Sequence, residues 1–365
     1  MVLERRHDID WIRVIAIGLL LIYHTTIGFQ PWGVFIGFIQ NNTPLESLWV
    51  PMSMLNIWRI PLLFYVSGMG VAFAISRRDF KGLIKERTMR ILVPFFFGTL
   101  VIVPLHVFLW QDYYSQPISY VFHPYHLWFL GNIYIYVLVL SPIFFFLKSE
   151  KGVKVKAWLN KLFATPAGLM LMTIPFIIEA EIIQPESFET YSLTLHGFFI
   201  GFLAFLVGFV FVASGQNIWN TLRKWFWLLL ILAFGLYLIR VIYFEYRTDE
   251  YLMALESNLW IFGVFGLGYK YLNRPSKQLK YWSRAAYPVY ILHMLFLYLG
   301  SYLIFGLGLN PWLEFILVVS FTFIGCWVSY EYVVRRVAFL RPLFGLKVNK
   351  RNHNLRPSQT ELANG

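Results

Sequence analysis

The stretch DIDWIRVIAIGLLLIYH, residues 8–24, is an apolar run long enough to cross a lipid bilayer, and it indicates the fold class of this chain. The run nevertheless contains Asp10, Arg13 and His24. Ionisable side chains are costly inside a membrane, and where they occur they usually face a polar interior and take part in function. The stretch therefore predicts a spanning helix whose polar side chains do chemistry.

Apolar runs of similar length recur along the whole chain. Of its 365 residues, 58% are hydrophobic and 14% are charged, which excludes a soluble domain. The runs predict ten spanning helices, at roughly 10–30, 53–76, 91–111, 127–147, 167–183, 195–213, 225–244, 254–272, 285–304 and 312–334. We expect an all-α polytopic membrane protein, with one membrane domain over residues 1–344 and a basic, disordered tail over residues 345–365.

The positive charge is distributed in a way that orients these helices. All but four of the 31 lysines and arginines lie before the first run, in every second loop or in the tail, whereas the other loops are acidic with one base, Arg247. Positive loops stay inside, so both termini are expected to be cytoplasmic. The net charge of +12 is then a topology signal and not a nucleic-acid site. Cys326 is the only cysteine, which excludes an internal disulfide.

Arg13 and His24 are expected to share one face of the first helix. Eleven residues make about three turns, so both side chains point the same way, roughly 16 Å apart along the axis. Asp10 lies one turn before Arg13 and can pair with it. A donor such as acyl-coenzyme A could place a phosphate at Arg13 and its thioester near His24. The alternatives are an arginine that snorkels to the interface and a histidine satisfied by structural contacts.

The spacing from Arg13 to His24 resembles the signature of the acyltransferase-3 family of membrane O-acyltransferases. Other segments resemble the family in order and spacing: RIPLLFYVSGMG (59–70), KERTMRILVPFFFG (85–98), HLWFL (126–130), AYPVYILH (286–293) and YEYVVRR (330–336). Many sugar O-acetylating members carry a carboxylate after the tryptophan of HLWFL, where this chain has Asn132. The resemblance is therefore to the branch that acts in periplasmic glucan biosynthesis.

This resemblance implies a multi-pass enzyme of the bacterial inner membrane. It implies the transfer of a succinyl or acetyl group from cytoplasmic acyl-coenzyme A to a hydroxyl of a glucan or other carbohydrate at the periplasmic side. Acyl-coenzyme A is expected as a donor substrate and not as a permanently bound cofactor. The sequence does not indicate the oligomeric state.

We interpret His24, Asp10 and Arg59 as the catalytic group. A neutral imidazole can take the proton of the acceptor hydroxyl, or it can carry the acyl group briefly. Asp10 would hold Arg13, and Arg59 could bind an anionic acyl group or polarise the thioester carbonyl. The alternative for Arg59 is a structural ion pair, with Glu46 or Glu256 as the candidates.

Three arginines are candidates for the donor phosphates: Arg13, Arg87 and Arg90. Guanidinium groups suit phosphate oxygens, and all three are expected at the cytoplasmic mouth. For Arg87 and Arg90, which the family pattern favours, the alternative is a charge that only sets topology.

His126, Trp128 and His293 are candidates for acceptor binding. His126 and Trp128 begin the fourth span in the stretch HPYHLW, which is rich in groups that contact sugars, although Trp128 could belong to the interfacial aromatic belt instead. His293 should lie near mid-depth and could face the same interior. His123 and His126 are spaced for a shared metal, but no carboxylate partner is evident, so no metal site is predicted.

Two other classes of protein compete with the enzyme. A transporter could line its translocation path with Arg13, His24 and Arg59, but discontinuous helices and an internal repeat would be expected, and the sequence shows no repeat. A sensor or scaffold would not need a cation and an imidazole on one helix face. The sequence therefore favours the acyltransferase, with the transporter as the alternative.

Overall fold

The protein is all-helical, as expected from the sequence. The computed structural model describes residues 5–347, and over this range it contains no β-strand. Ten helices are long and apolar enough to span a membrane, which confirms the predicted number. We number them α1–α10: His7–Ile27, Glu46–Ile75, Phe80–Tyr113, Tyr125–Lys148, Pro166–Ile183, Leu195–Ser214, Asn217–Tyr243, Glu250–Tyr271, Lys277–Leu307 and Pro311–Val334.

Several of these helices begin earlier than their apolar runs. α3 starts at Phe80 and α9 at Lys277, whereas the hydropathy pattern predicted starts near 91 and 285. The added turns carry charged residues such as Lys85 and Lys280, which reduce hydropathy without preventing a helix. The charged residues at the starts of these two helices therefore project from helical turns and not from loops.

Five helix ends meet at one end of the bundle, as shown by the residues that they contribute to one cavity. They are the start of α1, the end of α2, the starts of α3 and α9 and the end of α10. We call this the basic end. Residues 345–347, which were expected to begin a disordered tail, line the same cavity. The rest of the expected tail, 348–365, lies outside the described residues.

α2 occupies the centre of the bundle and touches α6 along its length. A Cβ atom on Gly68 would lie 1.9 Å from the carbonyl oxygen of Phe205, and one on Gly208 would lie 2.1 Å from that of Tyr65. Glycine is therefore required at both crossing points, as in other membrane helix pairs that pack backbone to backbone. This contact holds Arg59, on α2, inside the protein.

α1 packs against α2, α8, α9 and α10. Its first turn is fixed by Arg6, which forms a 2.5 Å ion pair with the buried Asp8. The guanidinium of Arg6 also lies 3.6 Å from the ring centre of Trp219, a cation–π contact. These contacts set the depth of α1 and hence the position of His24.

Candidate active site

A cavity of about 610 Å³ opens at the basic end between α1, α2, α3, α4, α9 and α10. Its wall carries nine basic residues and one carboxylate, that of Asp10. The basic residues are Arg5, Arg13, Arg87, Arg90, Lys280, Arg284, Arg335, Arg341 and Lys347. Such a concentration of one charge attracts anions.

The structure brings Arg13, Arg87 and Arg90 together on this wall. Sequence reasoning did not assign Lys280 and Arg284 to the same site, because their only signal was a place in a basic loop. Arg335 and Arg341 were not assigned to this site either, because their only signal was a place in a basic segment. Four segments far apart in sequence contribute to one surface, which only the packing of α3, α9 and α10 reveals.

Asp10 pairs with Arg13 as the spacing predicted, and the Arg13 Nη2 to Asp10 Oδ1 distance is 2.7 Å. Its other oxygen lies 2.9 Å from Arg5 Nη2. Fourteen residues separate Asp10 from His24, roughly 21 Å along a helix axis. This position is that of a residue that orients the arginines of the cavity, and a catalytic role for Asp10 remains a prediction.

Arg87 and Arg90 both form an ion pair with Glu86, and Arg87 has a second anchor. Arg87 Nη2 donates to the carbonyl of Gly70 at 3.0 Å, which ties α3 to α2. Arg90 Nη1 lies 2.9 Å from Glu86 Oε1. Both side chains are fixed beside the cavity and present further N–H groups, since a guanidinium has five donors.

The inner wall of the cavity is largely apolar, with Ile17, Leu63 and Phe129 among its residues, and it reaches Tyr290 on α9. The Tyr290 hydroxyl donates a short hydrogen bond to the carbonyl of His126. Tyr290 thereby joins the basic cavity to a group of histidines.

Four histidines form a continuous series of ring contacts beyond Tyr290. The ring centres of His24 and His293 are 5.1 Å apart, those of His293 and His126 are 5.0 Å apart, and those of His126 and His106 are 5.8 Å apart. The His24 Nδ1 to His293 Nε2 distance is 2.9 Å, a hydrogen bond. The His293 Nδ1 to Tyr290 carbonyl oxygen distance is 2.7 Å.

The candidate residues His24, His126 and His293 are thus brought together. His106 was left unassigned by the sequence reasoning, and its only signal was a histidine within an apolar run. It is fully buried, and neither ring nitrogen makes a well-formed hydrogen bond, although the ring lies in the field of the Ile102 carbonyl. Over residues 5–347 no three histidine, cysteine or carboxylate side chains converge as a metal would require.

Trp128 is buried near the start of α4. It is 7% exposed and packs against Phe64, with 6.0 Å between the ring centres. This is neither an open stacking platform nor an interfacial belt position. A contact between Trp128 and the acceptor remains a prediction.

Arg59 is 1% exposed, and its guanidinium carbon lies 3.8 Å from the ring centre of Tyr23, the neighbour of His24. Its Nε and Nη1 atoms have no hydrogen-bond partner, and no described carboxylate forms an ion pair with it. Glu256, considered as its structural partner, pairs with Arg240 instead, at 2.9 Å between Arg240 Nε and Glu256 Oε2. Tyr23 in turn contacts His24, with 5.7 Å between the two ring centres.

Comparison with known proteins identifies the family of this chain. Residues 6–331 match the model of the acyltransferase-3 family, described as an acyltransferase domain. Searches of curated proteins and of solved structures returned no match. The matched segment includes both the arginines of the cavity wall at Arg13, Arg87 and Arg90 and the four clustered histidines. Because the match covers nearly the whole chain, this protein belongs to the acyltransferase-3 family of membrane acyltransferases.

Proposed function

We propose that the protein is an O-acyltransferase that takes a succinyl or acetyl group from acyl-coenzyme A. The acceptor is a hydroxyl of a carbohydrate, with a periplasmic glucan as the leading candidate. The observation that carries the proposal is that one cavity joins nine basic residues to Tyr290, whose backbone holds the His24–His293 pair.

The donor would enter from the basic end, which we assign to the cytoplasm from the excess of lysine and arginine there. Coenzyme A carries several phosphate charges, and the wall offers guanidinium groups from Arg13, Arg87 and Arg90. The apolar inner wall would accept the pantetheine arm. The roughly 16 Å between Arg13 and His24 along α1 is comparable with the length of that arm.

The chemistry would take place at His24, which is partly accessible, whereas His293 is fully buried. The acceptor oxygen attacks the thioester carbonyl, its proton passes to His24, the carbon–sulfur bond breaks, and the thiolate receives the proton. A carbonyl oxygen gains negative charge during this attack. Arg59 has unpaired N–H groups and lies beside Tyr23, so it is the candidate to stabilise that charge.

The acceptor would approach from the opposite end of the bundle, which we assign to the periplasm of a bacterial inner membrane. The segment after α1 covers His24 on this side: the ring centre of Phe38 is 5.8 Å from that of His24. His126, half-buried beside His293, lies on the same side and is the candidate to contact the acceptor. Movement of Phe38 would open a path to the histidines.

The test uses full-length protein purified in detergent, radiolabelled acetyl- and succinyl-coenzyme A, and a β-glucan oligosaccharide. We expect release of coenzyme A and label on the oligosaccharide with wild type, and neither with His24→Ala, which should still bind coenzyme A. Turnover that persists in His24→Ala would overturn the role of His24.

A pair of variants tests the donor site separately. Arg87→Gln should weaken coenzyme A binding, whereas Arg274→Gln, which removes an exposed charge at the basic end outside the cavity wall, should not. Equal effects of the two variants would mean that the cavity charges contribute only a general surface field and do not form a specific binding site. Failure of wild type to bind coenzyme A would overturn the donor assignment and favour a transporter.

A further inference from the structure

We infer that His293 is a positioning residue that fixes the reactive nitrogen of His24. Its Nε2 accepts the Nδ1–H of His24, so the lone pair of His24 lies on Nε2. The tautomer itself follows from hydrogen-bond partners alone, whereas its effect on rate rests on the proposed acyl transfer.

The first step is the protonation of His293. Its Nδ1 lies 2.7 Å from the backbone carbonyl of Tyr290, and a carbonyl oxygen only accepts hydrogen bonds, so Nδ1 carries the hydrogen. The ring is fully buried, and no described carboxylate pairs with it. A second proton would create an uncompensated buried charge, which is strongly unfavourable. His293 is therefore neutral, and its Nε2 is an acceptor.

The second step transfers this constraint to His24. His24 Nδ1 lies 2.9 Å from the Nε2 atom of His293. Because that atom is an acceptor, His24 Nδ1 carries the hydrogen and donates it. A neutral imidazole has one N–H, so His24 Nε2 has the free lone pair. This series of hydrogen bonds starts at the backbone carbonyl of Tyr290, whose oxygen can only accept a hydrogen bond.

This tautomer serves both chemical routes open to His24. As a base, Nε2 takes the hydroxyl proton while the oxygen attacks the thioester, and the proton then passes to the departing thiolate. As an acyl carrier, Nε2 forms the bond to the carbonyl carbon and the carbon–sulfur bond breaks. The acceptor oxygen then displaces Nε2, and its proton goes to the thiolate. In each route His24 is transiently positive, and its Nδ1–H bond to His293 is then charge-assisted.

This role differs from the substrate contact expected for His293 from the sequence. A fully buried ring bonded on both sides, to Tyr290 and to His24, has no free polar atom for an acceptor sugar. A carboxylate beside a catalytic histidine fixes its tautomer in other acyl-transfer sites. Here a neutral histidine anchored on a carbonyl provides the same orientation without adding a negative charge.

The direct test is solid-state NMR of protein labelled with ¹⁵N-histidine in lipid bilayers. The difference spectrum between wild type and His24→Gln isolates the signals of His24. We expect a protonated Nδ1 and an unprotonated Nε2 in wild type, and a population protonated at Nε2 in His293→Phe. A wild-type His24 protonated at Nε2 would overturn the proposal whether or not the protein transfers acyl groups.

The kinetic test compares two variants of His293. His293→Phe removes the acceptor, whereas His293→Gln can offer its side-chain oxygen near the position of Nε2. We expect kcat to fall on the order of 10²-fold in His293→Phe, with KM for the donor unchanged, because the fraction of His24 in the reactive tautomer falls. His293→Gln should recover most of the rate. Equal losses in both variants, with normal donor binding, would reduce His293 to a structural residue.

Discussion

Two arginines lie fully inside the helical bundle, and their surroundings are opposite. Arg240 donates to both oxygens of Glu256, at 2.9 and 3.1 Å, and to the carbonyls of Ser53 and Tyr246. Arg59 contacts the π-face of Tyr23, and no carboxylate among the described residues pairs with it. Both residues are costly to bury, but of the two only Arg240 has a carboxylate partner among the described residues.

The difference distinguishes a structural charge from a charge that is held ready for a ligand. Arg240 and Glu256 form an ion pair that connects α7 to α8. Both residues are far in sequence from the four clustered histidines. Arg59 lies beside Tyr23, the neighbour of His24. In the proposed mechanism, the anion that pairs with it is the one that forms during acyl transfer. We therefore expect substitution of Glu256 to affect stability and substitution of Arg59 to affect rate.

The largest effect is expected for Glu256→Gln, which leaves Arg240 with its charge uncompensated. Breaking one side of a buried ion pair costs about 3–5 kcal/mol of the free energy of unfolding. The measurement is the shift in the thermal unfolding midpoint in detergent, with Glu181→Gln, an exposed carboxylate, as the control. Activity per folded molecule should be unchanged. A stable Glu256→Gln protein with reduced turnover would instead place this pair in the catalytic machinery.

Arg59→Gln should reduce kcat by about 10²–10³-fold, the effect of losing one donor to a transition-state oxyanion. Arg59→Lys should retain part of the activity, because it keeps the charge and loses the planar array of donors. The measurement is the rate of coenzyme A release at saturating donor. Arg59→Gln activity within a fewfold of wild type, in a protein that binds donor normally, would contradict the assignment.

The arginines of the cavity wall are intermediate between Arg240, which has a carboxylate partner, and Arg59, which has none among the described residues. Arg90 is half-exposed, and Glu86 neutralises only part of its charge. Arg90→Gln should weaken coenzyme A binding by roughly 1.5–3 kcal/mol, the range for a hydrogen bond to a charged group. Titration at several salt concentrations measures this loss, and Arg274→Gln is the matched control. An unchanged dissociation constant would mean that Arg90 only sets topology.

The sequence predicted a large part of this arrangement for clear physical reasons. Hydropathy depends on local composition, so the ten spans could be counted, and helical periodicity predicted that Asp10 would pair with Arg13. Whether Glu256 pairs with Arg59 or with Arg240 depends on the packing of α2, α7 and α8, and no local sequence pattern encodes that packing. His106 was missed for the same reason, since its neighbours lie on α4 and α9.

The smallest effect is expected for the stability of Arg59→Met. The substitution loses the cation–π contact with Tyr23, which contributes about 2 kcal/mol when desolvated. It also removes a buried charge that lacks a partner, and a methionine side chain fits an apolar interior well, so the two changes oppose each other. We expect the free energy of unfolding to change by less than about 1 kcal/mol, because replacing buried charges with apolar groups is often neutral. A large loss in the detergent midpoint, comparable with that of Glu256→Gln, would show that Arg59 is compensated in the resting protein.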